Sequence, residues 1–237
     1  MTNNNLLPSI QIVDEKWVEW IKNNNPFFGN FSLDTIFKKE EISFLKRFKP
    51  HKSWFVNESI SESVHGRRHC FRCVIYSFLL AKKFNFNKEE TINLLISSAV
   101  HDIGRLNDNE TTGHGERGAL FFDKIKDNII RDMQLNEDDF NLRLVKLMIR
   151  LHDKEYSKFS DEEKILYFKN KLSIDLIKVS DALDRYRLPK INWWIDDKYL
   201  SIKINEWIKQ FAYNLVLKSE YDYLKNKDVE VILSLLN

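Results

Sequence analysis

Residues 62–83 read ESVHGRRHCFRCVIYSFLLAKK, and their spacing decides the kind of fold. At 100° per residue, Phe71, Val74, Ile75, Phe78 and Leu79 fall on one face, the period of a helix packed on a core. His65, His69, Arg72 and Tyr76 fall on a narrow stripe beside it. Outward along the chain, the helical period continues. A second helix opens at Asn87, whose side chain forms a capping box with Glu90, and runs through Ile92, Leu95, Ile96 and Ala99 to His101-Asp102. A polar loop, 105–115, precedes a third helix over about 116–131. A fourth starts near Asp138, carries Leu142, Val145, Met148 and Ile149, and ends at His152. Ser160 with Glu163 is another capping box, opening a long apolar-periodic stretch that Pro189 terminates. The first fifty residues read as short helices broken at Asn23-Asn24-Asn25-Pro26, and 198–236 holds two more helical patterns.

The spacing therefore predicts an all-α helical bundle: a core over 62–189, with accessory helices over 1–61 and 190–237. Six Gly and four Pro in 237 residues are too few for the turns of an all-β sandwich. Hydrophobic residues at 43% and charged residues at 30% argue against disorder. Lys+Arg 37 against Asp+Glu 35 leaves a charge of +2, too small a field to signal nucleic-acid or anionic-membrane binding. No apolar run reaches the roughly 18 residues of a membrane span, and the N-terminus does not read as a signal peptide. Two cysteines make no disulfide framework, so the expectation is a cytoplasmic protein without a membrane partner, with a homodimer compatible. Cys70-x-x-Cys73 lies mid-helix rather than at a helix N-terminus, and is expected to pack rather than to cycle redox states.

The histidines carry the chemistry. His65 and His69 are i, i+4 neighbours; His101 and His152 end apolar helices; His114 lies between Gly113 and Gly115. Each alone is an ordinary core histidine. Together with Asp102 they are imidazole–carboxylate ligands for Mn, Fe, Co, Ni or Zn, drawn from several helices.

The blocks HGRRHCFRCVIYSFLLA, SSAVHDIGR and LIKVSDALDR, with GHGERGA and LVKLMIRLHD between the last two, form an ordered set over residues 64 to 187. That set resembles the HD superfamily of metal-dependent phosphohydrolases, in particular its two-metal subgroup, which includes bacterial dinucleoside-polyphosphate hydrolases. The bare His-Asp dipeptide is unspecific, and a second copy stands at His152-Asp153; the order of all five blocks carries the likeness. The resemblance implies an HD-type bundle with two divalent ions, Mn or Fe, with Co, Ni, Zn or Mg as further candidates. It implies His69, His101 and Asp181 on one ion, His114 and His152 on the other, and Asp102 bridging both. Asp184 rivals Asp181, and Asp153 rivals Asp102.

The implied activity is hydrolysis of a phosphoester or phosphoanhydride in a small nucleotide-like molecule. His65 is a candidate proton donor or an orienting partner of His69, and Glu116 a candidate general acid. Asp108 and Glu110 are expected in solvent. Among the arginines, Arg72, Arg105, Arg117 and Arg185 are candidate phosphate ligands because guanidinium pairs with phosphate in a fork. Arg67 and Arg68 point off the stripe and are expected in solvent. Tyr186, Trp193, Trp194 and Tyr199 could wall a base or belong to the core. Alternatives to the hydrolase are a di-iron oxygenase of the same ligand set, a phosphodiesterase acting on ADP-ribosyl- or phosphoribosyl-modified protein, and a non-catalytic nucleotide sensor.

Overall fold

A computed structural model describes residues 7–28, 31–33 and 36–236; residues 1–6 of the N-terminal stretch read above lie outside it. The described chain is all helical, with ten α-helices joined by short 3₁₀ turns. They are α1 (Glu15–Asn23), α2 (Lys39–Lys46), α3 (Arg67–Lys83), α4 (Lys88–Val100), α5 (His114–Asp132), α6 (Leu142–Leu151), α7 (Asp161–Lys169), α8 (Lys171–Leu183), α9 (Glu206–Asn226) and α10 (Val231–Ser234).

Two helices make the centre. Every residue of α3 from Arg68 to Ala81 is buried, and every residue of α4 from Ile92 to Val100. A helix enclosed on all sides has no face for solvating its polar side chains, so each must find a partner inside. Ser77 does so by linking three helices: its hydroxyl lies 2.6 Å from that of Ser98 on α4 and donates at 2.7 Å to Ser180 Oγ on α8. Around this pair, α8 packs on both α3 and α4, α6 packs on α4, and α5 pairs with α6. One apolar cluster runs through all three sequence segments, from Ile21 and Leu45 through Phe71 and Leu95 to Phe211 and Val216.

Several boundaries differ from the periodicity. α3 starts at Arg67, because Glu58–Glu62 is a 3₁₀ turn and the backbone at Gly66 presses against it. A Cβ on Gly66 would stand 2.3 Å from the carbonyl oxygens of Ile60 and Ser61. His65 is therefore off the helix. α6 begins at Leu142, capped by the Asn141 side chain on the Leu144 N–H, with Glu137–Asp139 a separate 3₁₀ turn. The long stretch before Pro189 is two helices, broken at Asn170, whose side chain turns back to the Leu166 carbonyl at 3.0 Å. Both capping boxes form, Asn87 with Glu90 and Ser160 with Glu163.

Tyr186 and Trp194 are buried core and not a wall over a ligand: they pack edge-on with each other and with Tyr213 of α9, and Trp194 does the same with Trp20 of α1. Tyr199 is exposed and Trp193 half-buried. Among the described residues, no helix is long and apolar enough to cross a membrane.

Candidate metal centre

His101 and His152 occupy equivalent positions, just after the last turns of α4 and α6. Each ring turns back on its own helix: His101 Nδ1 donates to the Ser98 carbonyl at 2.8 Å, and His152 Nδ1 to the Ile149 carbonyl at 2.7 Å. Such a bond satisfies an orphan carbonyl of the helix end and fixes the tautomer, leaving Nε2 with its lone pair aimed away from the helix. His69, inside α3, is held in the same sense by Asp184, whose Oδ2 lies 2.8 Å from Nδ1. His114 opens α5 after Gly113, whose φ of +90° suits glycine, and its Nδ1 lies 3.3 Å from Asp153 Oδ2.

The four Nε2 atoms converge on one carboxylate. His69 Nε2 stands 3.0 Å from His101 Nε2, 3.4 Å from Asp102 Oδ2 and 3.3 Å from Asp181 Oδ1. His114 Nε2 stands 3.1 Å from His152 Nε2 and 3.2 Å from Asp102 Oδ1; His152 Nε2 lies 3.5 Å from the same oxygen. Asp102 thus turns one oxygen to each pair. Both of its oxygens are buried and neither accepts a hydrogen bond among the described residues; Arg105 Nε, 2.8 Å from Oδ1, is too poorly aligned to donate one.

His114 Nδ1 has no hydrogen-bond partner among the described residues, but His69 and His101, whose Nδ1 atoms already donate, face each other at Nε2 lone pair to lone pair. That contact is repulsive unless a cation or a proton lies between them. Ligand atoms about 2.1 Å from a cation sit about 3.0–3.4 Å apart in octahedral or tetrahedral arrangements, close to most pairs here, with His101 Nε2 farther off at 3.7 Å from Asp102 and 4.0 Å from Asp181. The residues present fit a divalent cation: His69, Cys73, His101 and Asp181 form one group of potential ligands and His101, Asp102 and His152 another, with His114 Nε2 3.2 Å from Asp102 Oδ1. Nitrogen and carboxylate donors suit Mn, Fe, Co, Ni or Zn. The cluster is closed except at Asp181, whose side chain is 36% exposed.

Without metal, the pairs divide protons. Burial, with the His152 and His69 rings, pushes His101 down to about 3, despite Asp102. Burial and Arg187 oppose protonation of His69, yet the carboxylates of Asp102 and Asp181 hold it well above the ordinary imidazole range. In the other pair, burial lowers His114, whereas Asp102 raises His152 against burial. Each pair thus has one ring held toward protonation and one held away from it. Cation uptake near pH 7 should therefore release protons, and affinity should rise with pH. Calorimetry in two buffers of different ionisation enthalpy counts them.

The rival carboxylates take different work. Asp184 is wholly buried on the far side of His69, where it orients the ring; Asp181 faces the cluster. Asp153 accepts from the Gly115 N–H at 3.1 Å and sits behind His114. Cys73 Sγ is 3.6 Å from His69 Nδ1, at the edge of the cluster, and burial pushes its thiol up to about 11, so without a cation it is protonated. Burial pushes Cys70 up as well.

Other expectations are corrected. Arg72 is no phosphate ligand: it is fully buried, gripping Asp184 with Nε and Nη2 at 2.7 and 2.9 Å and Glu220 with Nη1 at 2.7 Å. Arg68, expected in solvent, is buried on the other oxygen of Glu220 at 2.9 Å, under the ring of Tyr223. Arg67 does reach the surface, paired with Glu62.

Glu116 points outward, 59% exposed and 3.9 Å from Arg150, so it is not in the cluster. Arg117 is spent on Glu110 and the Gly104 carbonyl, which fastens the loop and keeps Glu110 out of solvent. Asp108 is buried, accepting from the Gln11 N–H, Ser63 Oγ and His65 Nδ1. His65 does not orient His69, whose Nδ1 belongs to Asp184; its ring stands edge-on at 6.0 Å. Burial, with Arg105 and Arg187 nearby, pushes it down to about 3, so it is neutral. Arg185 is half-buried, one turn after Asp181, with no side-chain partner among the described residues.

The second pair depends on a tight backbone contact. A Cβ on Gly104 would lie 2.3 Å from Gly118 N and 2.4 Å from the His114 carbonyl. Gly104→Ala must push the start of α5 away. The expected cost is about 1–3 kcal/mol of stability, as for overpacking, with weaker binding of one cation than of the other. Denaturant melts and metal titration of the variant check both.

No protein-family model, no curated protein and no solved structure matches this chain.

Proposed function

We propose that this chain is a metal-dependent phosphohydrolase of the HD type, acting on a phosphoester or phosphoanhydride of a small nucleotide-like molecule. The observation that carries the reading is Asp102, a buried carboxylate without a hydrogen bond, one oxygen toward each pair of facing imidazoles. Bound divalent ions supply a water acidic enough to ionise near neutral pH and positive charge for phosphoryl oxygens.

The chain's own groups do the rest. His69, His101, Asp102 and Asp181 would hold one cation, and His114, His152 and Asp102 the other. Asp184 and the carbonyls of Ser98 and Ile149 lock three of the rings, which keeps the ligands from reorganising when charge develops. Asp181 is the exposed member of the cluster, the side from which substrate would enter, and Arg185, one turn further on and half-buried, is the arginine we assign to a phosphoryl oxygen. Arg105 stands against Asp102 with its other nitrogen on the Glu110 carbonyl, adding positive charge beside the reacting group. Neutral His65, fixed by Asp108, is a hydrogen-bonding group beside His69 and not a ligand.

The test is phosphate or nucleotide release from mononucleotides, cyclic and linear dinucleotides, dinucleoside polyphosphates and ADP-ribose. It is run with Mn²⁺, and with Fe²⁺ under anaerobic conditions, using Asp102→Asn as control. Metal-dependent release that the variant lacks supports the reading, and the responding compound defines the substrate. Turnover that requires O₂ and iron would replace the hydrolase with an oxygenase. His65→Gln should lower turnover while metal content stays at the wild-type level. A fall in metal content with turnover per bound metal unchanged would make His65 a ligand.

A further inference from the structure

On the outer side of α5 and α6, closed at one end by the last turn of α7, lies an apolar groove of about 650 Å³. Buried Ala119 and Leu147 line its floor, and Leu120, Leu142, Leu144 and Leu166 its walls, with Leu120 59% exposed. Arg143, Lys146 and Arg150 follow one another along α6 at i, i+3 and i+7, a cation row about 10 Å long. The single carboxylate in the lining is Glu116.

The row is weakly engaged. Arg143 is exposed with no side-chain partner among the described residues. Arg150 meets Glu116 and Glu163 only at 3.9 and 4.0 Å, and its Nε is buried without a hydrogen bond; Lys146 alone has a close partner, Asp123 at 3.0 Å. An apolar trough edged by under-neutralised cations at helical spacing is complementary to one kind of surface.

We propose that this groove docks an amphipathic helix of another protein, with apolar residues at i, i+3 or i+4 and i+7 and acidic residues along one edge. Three cations spread over two helical turns match several anions spaced along a helix better than the one headgroup of a free amphiphile. On a second copy, the exposed apolar pair Ile165 and Phe168 of α7 stands beside Lys164 and Lys169 as well as Glu162, and Asp161 is already paired with Lys164, so that edge is mixed in charge rather than acidic. The site is independent of the metal reading, although the helices that form it also deliver His114 and His152.

The test selects a displayed library of random helical peptides against the full chain. Enriched sequences should share the apolar spacing with an Asp/Glu edge, and a synthetic peptide of that sequence should bind more weakly as salt rises. Leu120→Glu and Arg143→Glu should each weaken it at least 10-fold while circular dichroism and metal content match the wild type; both positions are exposed, so folding is not at stake. No enrichment, enrichment of sequences without acidic residues, or equal binding by both variants would overturn the proposal. So would a wild-type dimer in sedimentation that Leu120→Glu converts to monomer, or laurate binding that both variants weaken while no peptide is enriched.

Discussion

Asp102→Asn is expected to abolish metal binding while leaving the helical fold in place. The substitution keeps the side chain's volume but replaces one acceptor oxygen with an NH₂ and removes the negative charge that both imidazole pairs face. Burial opposes ionisation of Asp102, yet the Arg105 guanidinium, with the neighbouring imidazoles of His101, His114 and His152, holds it well below the usual carboxylate range, so it is anionic at neutral pH. Partners behind the ligands in metal sites are typically worth about 10–100-fold in affinity; a bridging ligand must exceed that, and both cations should be lost together. Metal analysis after dialysis, beside a circular-dichroism spectrum, reads both outcomes. Loss of only one cation would mean that Asp102 serves one pair.

Arg72→Ala should be the most destabilising single change near the site. Arg72 closes a network in which Asp184 also accepts from the Tyr76 hydroxyl at 3.0 Å, and Glu220 also accepts from Arg68. Removing the guanidinium leaves two buried carboxylates short of positive charge, which costs about 3–5 kcal/mol when one partner of a buried pair is lost. Native proteins have only about 5–15 kcal/mol in total, so the variant should lose much of its denaturant midpoint.

The network also sets an acid limb. Burial opposes ionisation of Asp184, but the Arg72 charge, with the bonds from His69 and Arg72, lowers its pKa below the ordinary carboxylate value. A carboxyl depressed on folding contributes stability above its unfolded pKa of about 3.9, lost as pH falls through the lower folded value. That acid limb should shrink in Arg72→Ala. An unchanged urea midpoint at pH 7 would refute the assignment.

Helix periodicity and the two capping boxes made the bundle legible in the sequence, because apolar spacing and cap chemistry are local. His101 and His152 were legible as helix-ending histidines for the same reason. What failed was anything set by the close approach of distant segments. His65 reads as a helical neighbour of His69 until Gly66 is seen against the carbonyls of Ile60 and Ser61. Arg72 and Arg68 read as phosphate ligand and solvated side chain because their partner, Glu220, lies 148 and 152 residues away on α9. Glu220 had its own signal: a carboxylate one residue past Ser219 and four past Val216, inside a buried stretch of helix, needs a buried cation. Asp184 and Asp181, three residues apart, are both carboxylates near the end of α8, and only the ring of His69 between them separates the orienting role from the facing one.

The most direct test is titration of Mn²⁺ into chelator-stripped protein, following free Mn²⁺ by electron paramagnetic resonance, with Asp102→Asn alongside. Two ions held per folded chain, and none by the variant, is the predicted result. A folded wild-type chain that leaves Mn²⁺ free, and equally leaves Fe²⁺, Co²⁺ and Zn²⁺ free, would contradict the account.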